Sequence, residues 1–328
     1  EAGQIVSLVD KRSGREVIAS GELGNRFMLF EDKPINNDAW NIDIFFEEKS
    51  WALDEPAEVR VVEQGPVRAG LEFRRQFLHS TLVQRVYVYA GVPRVDFETW
   101  VDWHERHLLL KVAFPFAVLS PRATYEIQFG NIERPTHRNT SWDYARFEVP
   151  AQHWADISEG DYGVSLLNDC KYGYDTHDHV MRLSLLKAAT SPDPEADQGE
   201  HRFTYSLYPH AGDWRQGTLE QAGDLNLPLT AVFEPGHAGD LPATWSLVSA
   251  SSPNLIVDTV KKAEDEDGLV VRLYEAHGSR GTGRLRFGLG IKAAREVNLL
   301  EEDEGAVAFS GNELTFDYLP YQIRTFKV

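Results

Sequence analysis

Cysteine is almost absent from these 328 residues: Cys170 stands alone, so no intrachain disulfide can form. A single thiol fits a reducing compartment and predicts a cytoplasmic protein. Long apolar runs are missing too. Leu108 to Leu119, the longest candidate, falls short of the ~20 residues that span a bilayer and is broken by Lys111 and Pro115. Basic residues are scarce beside acidic ones, 33 against 51, which leaves a formal net charge of −18. Phosphate backbones and anionic membrane surfaces repel such a chain, so neither nucleic acid nor membrane is expected as a partner. No secretory leader opens the sequence, and a start at Glu1 rather than Met reads as a processed product or an excised piece. A phosphate-binding loop, a dinucleotide fingerprint and a Gly-x-Ser-x-Gly nucleophile elbow are all lacking. So is helical periodicity sustained over about three turns.

What is present is strand grammar. Val95, Phe97, Thr99, Val101 and Trp103 share one face of an extended segment, and Arg94, Asp96, Glu98 and Asp102 share the other. Leu82–Tyr89 precedes it, with Gly91-Val92-Pro93 as the intervening turn. Glu58–Val62 and Val67–Phe77 around Gly65-Pro66, and Gln4–Val9 and Arg15–Ile18 around Lys11–Gly14, repeat the pattern. With 8 Trp, 12 Tyr and 17 Phe, the chain is well supplied with rings that suit sheet faces or a sugar site. From about Gly217 to Pro242, prolines and glycines mark an irregular connector, with a turn or two of helix allowed at Thr218–Ala222. Beyond it seven short strands are expected: Asn254–Val257, Leu269–Tyr274, Arg284–Leu289, Val297–Leu300, Ala306–Phe309, Glu313–Tyr318 and Gln322–Val328. The fold class is all-β, with a large antiparallel domain over 1–240, including the connector, and a small immunoglobulin-like sandwich over 241–328.

Several clusters invite chemistry. His104 and His107 in Trp103-His104-Glu105-Arg106-His107 are three apart and follow a strand, which does not give the i, i+4 helical pair of a zincin. Asp175, His177 and His179 would share one face of an extended chain and could form a metal site, but no second pair of ligands accompanies them and a loop is the expected reading. Cys170 reads as a buried structural thiol. Two polar, aromatic segments stand out: Glu133–Glu148 and Leu166–Asp175. Their Asn, Asp, Lys, Tyr and Trp residues are what a sugar site needs, fixed donors and acceptors for hydroxyls and a ring for the C–H face. They equally suit loops stitched against a sandwich.

Those two segments, with Gly3–Lys11, Gly14–Val17, Asn25–Asp32, Asp38–Asp43, Trp154–Glu159, Tyr162–Asp175, Leu183–Leu186, Pro192–Pro194, His201–Tyr205, Asn298–Glu301 and Ile323–Phe326, resemble the C-terminal β region of family-38 α-mannosidases, bacterial and cytosolic branch. The resemblance implies a galactose-mutarotase-like supersandwich followed by a small β domain. It also implies an N-terminal barrel and a helical region as partners, a zinc ion bound in that barrel, and retaining hydrolysis of a mannose-containing oligosaccharide by two carboxylates. No barrel lies in these residues. No nucleophile or zinc ligand carries over, no cofactor is expected on this chain, and the chain alone is expected to be inactive.

What it would add is one wall of the cleft. Asn168, Asp169, Lys171, Tyr172, Tyr174 and Asp175 are the expected substrate contacts, with Lys171 and Asn168 toward hydroxyls and Tyr172 or Tyr174 as ring platforms. Asp38 and Trp40 are further candidates, although Asn41 stands where the family pattern commonly has aspartate. A free-standing carbohydrate-binding module is one alternative. A mutarotase-type epimerase drawing on His137, His177 and Glu148 is another. Linkage preference and self-association are left open.

Overall fold

The computed structural model describes residues 3–240, 242–265 and 267–328, so Glu1 and the expected boundary residue Leu241 lie outside the described residues. Two compact units emerge, Glu1–Ile127 with Ile132–Leu229, and Gln128–Asn131 with Thr230–Val328.

The first unit is built on two antiparallel sheets. One has nine strands in the spatial order Gly130–Pro135, Arg122–Ile127, Trp154–Ser158, Tyr162–Asn168, Gly199–Ala211, Val92–Trp103, Ser80–Tyr89, Arg68–Phe77, Glu58–Gln64. The other has six: Val149–Pro150, Gly173–His177, Val180–Lys187, Leu108–Pro115, Arg26–Glu31, Ser50–Ala52. Alternation decides what each strand buries. Phe97, Val101 and Trp103 are fully enclosed on one side of their strand, as their spacing predicts, and Tyr205 stacks on Phe97 with ring centroids 5.1 Å apart. Phe114 of the six-stranded sheet meets Phe97 at 5.9 Å, so rings from both sheets interlock in one core.

The strand Leu108–Pro115 is buried on both sides, which explains its near-continuous apolar sequence. Leu110, Val112 and Phe114 face the core. Leu109 faces a second layer with Phe30 and Phe46, formed where the segments 32–49 and 136–148 cross the outside of the sheet. The expected turn Gly91-Val92-Pro93 is tighter than its sequence suggests. Tyr89 pairs with Val92, Gly91 takes a positive φ of 80°, and Pro93 already belongs to the strand.

The outer face of the nine-stranded sheet is divided. Over Trp154–Ser158, Tyr162–Asn168 and the end of Gly199–Ala211 lies a helix, Thr218–Asn226, longer than the turn expected there. Its Ala222, Leu219 and Leu225 pack on Trp154, Leu167 and Trp214, and Trp154 and Trp214 stack at 5.2 Å. Among the described residues, the other half of that face, across the strands from Gly199–Ala211 to Glu58–Gln64, carries no helix. It is open.

The second unit holds nine strands among its described residues, in a four-stranded and a five-stranded sheet around Val271, Leu273, Leu285, Leu314 and Phe326. Val248–Ala250 is a short strand beyond the expected seven, and the expected strand Ala306–Phe309 is replaced by two, Asp303–Ala306 and Phe309–Ser310, with Val307 and Ala308 between them. The expected strand Val297–Leu300 ends at Val297. Asn298 Oδ1 accepts from the N–H groups of Leu300 and Glu302 and folds the chain into a turn.

Candidate functional site

On the open half of the nine-stranded sheet, register places charged residues opposite one another in two rows. Arg60, Glu72, Arg85, Glu98 and Thr204 are successive cross-strand partners. Two residues along each strand, Glu58, Arg74, Val83, Trp100 and Arg202 form the second row. The first row neutralises itself. Arg60 Nε donates to Glu72 Oε1 at 2.7 Å and Arg85 Nε to Glu72 Oε2 at 2.8 Å. Burial would raise the Glu72 carboxyl pKa, but the Arg85 and Arg60 bonds outweigh it and hold the group below its usual range. In the second row Arg74 makes no hydrogen bond or ion pair among the described residues, and Arg202 lies 3.9 Å from Glu200. Trp100, half-buried, donates its indole N–H to the same Glu200 at 3.1 Å.

These rows line a groove of about 530 Å³, which Asp169, Phe203 and Thr204 close at one side. The groove thus borders the segment 168–175. Asp169 bridges to the sheet by its N–H to the Thr204 carbonyl and its Oδ2 from the Thr204 N–H, 3.1 and 2.9 Å. Its buried Oδ1 has no hydrogen-bond partner. Beside it Lys171 sets its Nζ 4.7 Å above the Phe203 ring, and burial lowers the ammonium pKa. Tyr172 is half exposed.

The remaining members of that segment are structural within this chain. Asn168 is fully buried: its side-chain amide donates to Gln152 O and to Tyr174 Oη at 2.8 and 2.7 Å, while its Oδ1 accepts from Lys171 N. Tyr174 is equally enclosed and offers no ring face to a ligand, so of the two expected platforms only Tyr172 is available. Asp175 is buried between Lys111 Nζ at 2.5 Å and Arg182 Nε at 2.7 Å. Lys111 also bonds Glu148, and Arg182 bonds Glu47. Sequence alternation places Lys111 on the strand but cannot supply its partners, which come from 37 and 64 residues away.

Asp38 accepts from Thr190 N at 2.7 Å, while its neighbour Trp40 is largely exposed. Asp38 Oδ1, Asp32 Oδ1 and His107 Nδ1 are buried without hydrogen-bond partners. Among the described residues no three His, Cys, Asp or Glu side chains group as metal ligands. In the Asp175–His179 run, Asp175 and His177 end one strand, Asp178 turns with φ 51°, and His179 Nε2 meets Glu22 at 2.7 Å. His137, His177 and Glu148 do not converge. Their acidic or hydroxyl partners are Asp143, Asp178 and Ser184, respectively. Cys170 is exposed rather than buried, and partial desolvation with the adjacent Asp169 pushes its thiol up to about 11, which keeps it protonated and weakly nucleophilic at neutral pH. No helix among the described residues is long and apolar enough to cross a membrane.

Comparison with known proteins accords with this architecture. The glycosyl hydrolases family 38 C-terminal domain matches residues 1–195, and the family 38 C-terminal beta sandwich domain matches 254–326. Alpha-mannosidase 2C1 of Mus musculus is 45% identical over 331 residues, covering 98% of this chain and 32% of the relative. Alpha-mannosidase G of Dictyostelium discoideum is 40% identical and is covered over 31% of its length. The chain therefore spans about a third of the length of these curated relatives. An alpha-mannosidase structure from Enterococcus faecalis V583 shares the fold with a TM-score of 0.81 at 20% identity, over 99% of this chain and 40% of that one. With both of its units matched in order, the chain belongs to glycosyl hydrolase family 38, as its C-terminal β region.

Proposed function

We propose that this chain is the C-terminal part of a retaining α-mannosidase. The groups that cleave the mannoside, and the zinc that would grip its hydroxyls, belong to an N-terminal barrel outside these residues. Its strands support that barrel, and its exposed loops line one side of the cleft. The observation that carries the reading is the 45% identity to a mannosidase across 98% of this chain.

Within the cleft wall, Lys171 supplies a desolvated ammonium without a carboxylate hydrogen bond among the described residues, and Tyr172 and Trp40 supply accessible rings. Asn168, Tyr174 and Asp175 act through them, by fixing the backbone on which Lys171 and Tyr172 ride. The substrate is a mannose-containing oligosaccharide, and a cytoplasmic location suits the exposed lone thiol of Cys170.

The test compares two proteins. The product of the complete coding sequence is expected to hydrolyse an aryl α-mannoside with retention and to lose activity on zinc removal; the 328-residue chain is expected to do neither. Turnover by the chain alone, or stoichiometric zinc on it, would overturn the assignment.

A further inference from the structure

We infer that the open face of the nine-stranded sheet binds a pyranose carrying a phosphate or carboxylate group. Three features meet there. Trp100 and Val83 are adjacent across two strands, both half-buried, and make a flat apolar floor. Arg74 and Arg202 flank that floor in the same cross-strand row, three interstrand steps and thus roughly 14 Å apart at their backbones. Their guanidinium groups stand exposed, and neither hydrogen-bonds to a carboxylate among the described residues. At the side of the groove, Asp169 Oδ1 is a buried acceptor with no hydrogen-bond donor among the described residues.

Each feature answers one need of such a ligand. The indole covers the C–H face of the ring. Asp169 Oδ1 accepts from a ring hydroxyl, which relieves a buried acceptor left unpaired. An arginine fork takes two oxygens of a phosphate or carboxylate. A structural purpose would have hydrogen-bonded both arginines to carboxylates, as in the next row, where Arg60 and Arg85 are both spent on Glu72; here Arg74 has no ion pair among the described residues and Arg202 only the 3.9 Å contact with Glu200. In a protein of net charge −18, Arg74, without an ion pair among the described residues, and Arg202, held only at 3.9 Å from Glu200, stand beside a tryptophan where they can meet an anion. The volume of about 530 Å³ accommodates one or two sugar rings. The inference concerns this face alone and does not rest on the mannosidase reading.

The experiment titrates the full-length protein by calorimetry with mannose 6-phosphate, glucuronate, mannose and inorganic phosphate, at two salt concentrations. At least one of the two acidic sugars is expected to bind about tenfold tighter than mannose, the effect of a charge-assisted hydrogen bond, and to weaken as salt rises. Which of the two binds tells phosphate from carboxylate. The double variant Arg74→Gln/Arg202→Gln and the single variant Trp100→Ala are each expected to lose about tenfold or more, while unchanged far-UV dichroism reports folding. Neutral mannose binding as tightly as both acidic sugars would overturn the inference. So would inorganic phosphate matching mannose 6-phosphate where glucuronate does not bind, affinity that survives the double substitution, or no binding at about 10 mM.

Discussion

Lys111 and Asp175 form an enclosed ion pair, Nζ to Oδ2 at 2.5 Å, between neighbouring regions of the six-stranded sheet. The same ammonium bonds Glu148, and Asp175 passes the connection through Arg182 to Glu47 and Arg138. Rings of Phe46 and Phe30 shelter the two cations, at 5.1 Å for Lys111 over Phe46 and 5.1 Å for Arg182 over Phe30. One chain of alternating charges thus fastens the segments 32–49 and 136–148 to the sheet.

Removing its centre takes the cation from Glu148 and leaves Asp175 with Arg182 alone. Lys111→Met is expected to destabilise the first unit by about 3–5 kcal/mol, because Asp175 stays buried with half its pairing gone. Urea denaturation followed by tryptophan fluorescence measures it. A loss below about 1 kcal/mol would show that the network contributes little.

Acid should dissolve the same network. Burial tends to raise the Glu47 pKa, but the bonds from Arg138 and Arg182 prevail and bring it from 4.5 to about 2. A carboxyl depressed on folding contributes stability that is complete above its ordinary value and lost as pH falls toward the folded one. Stability should therefore decline between pH 4.5 and about 2, and Glu47→Gln should flatten that limb. Equal acid limbs in the two proteins would rule Glu47 out as its source.

Much of the fold was legible in the sequence. Alternation over Val95–Trp103 told the buried face from the open one, since a period of two admits few other readings. The strand Leu108–Pro115 was harder, because an element covered on both sides loses its alternation, and Lys111 read as an interruption rather than as half of an ion pair. The groove was invisible for another reason. Arg74, Trp100 and Arg202 belong to three strands, and only register brings them into one row. In the segment 168–175 composition alone does not separate Tyr172, which is exposed, from Tyr174, which is sealed behind Asn168.

Lys171 gives the sharpest functional prediction. Lys171→Met keeps an aliphatic stem over Phe203 and removes the charge. In the full-length enzyme it is expected to lower kcat/KM for an aryl α-mannoside about tenfold, by the worth of one charge-assisted hydrogen bond. A rise in KM with kcat unchanged would mean that the bond is made equally to bound substrate and transition state. Wild-type kcat/KM would take Lys171 out of the cleft wall.

Beneath the helix Thr218–Asn226, Asp156 accepts from Ser158 and Ser165 at 2.5 and 2.8 Å and meets His210 Nε2 at 2.7 Å, while Ser165 reaches Thr218 at 2.7 Å. Asp156→Ala strands these buried groups and is expected to cost about 3 kcal/mol. Amide exchange should speed most at 218–226 and least in the strand Leu108–Pro115. Uniform acceleration would contradict a local role.

Gly163 lies against the same cluster. A methyl group there would stand 2.5 Å from His210 Cε1 and collide with Ser158, so Gly163→Ala is expected to cost about 1–3 kcal/mol of stability. A thermal midpoint equal to that of the parent would show that the ring can move aside.

The strand Gly199–Ala211 pairs on one flank with Tyr162–Asn168 and on the other with Val92–Trp103, a partner about a hundred residues earlier. During synthesis, therefore, the half-sheet of residues 58–103 leaves the ribosome with an unpaired border. It stays so until the polypeptide has passed residue 211. Over that interval a nascent chain must be shielded from its neighbours, and a ribosome stalled before residue 199 would release a product with two raw edges and no centre.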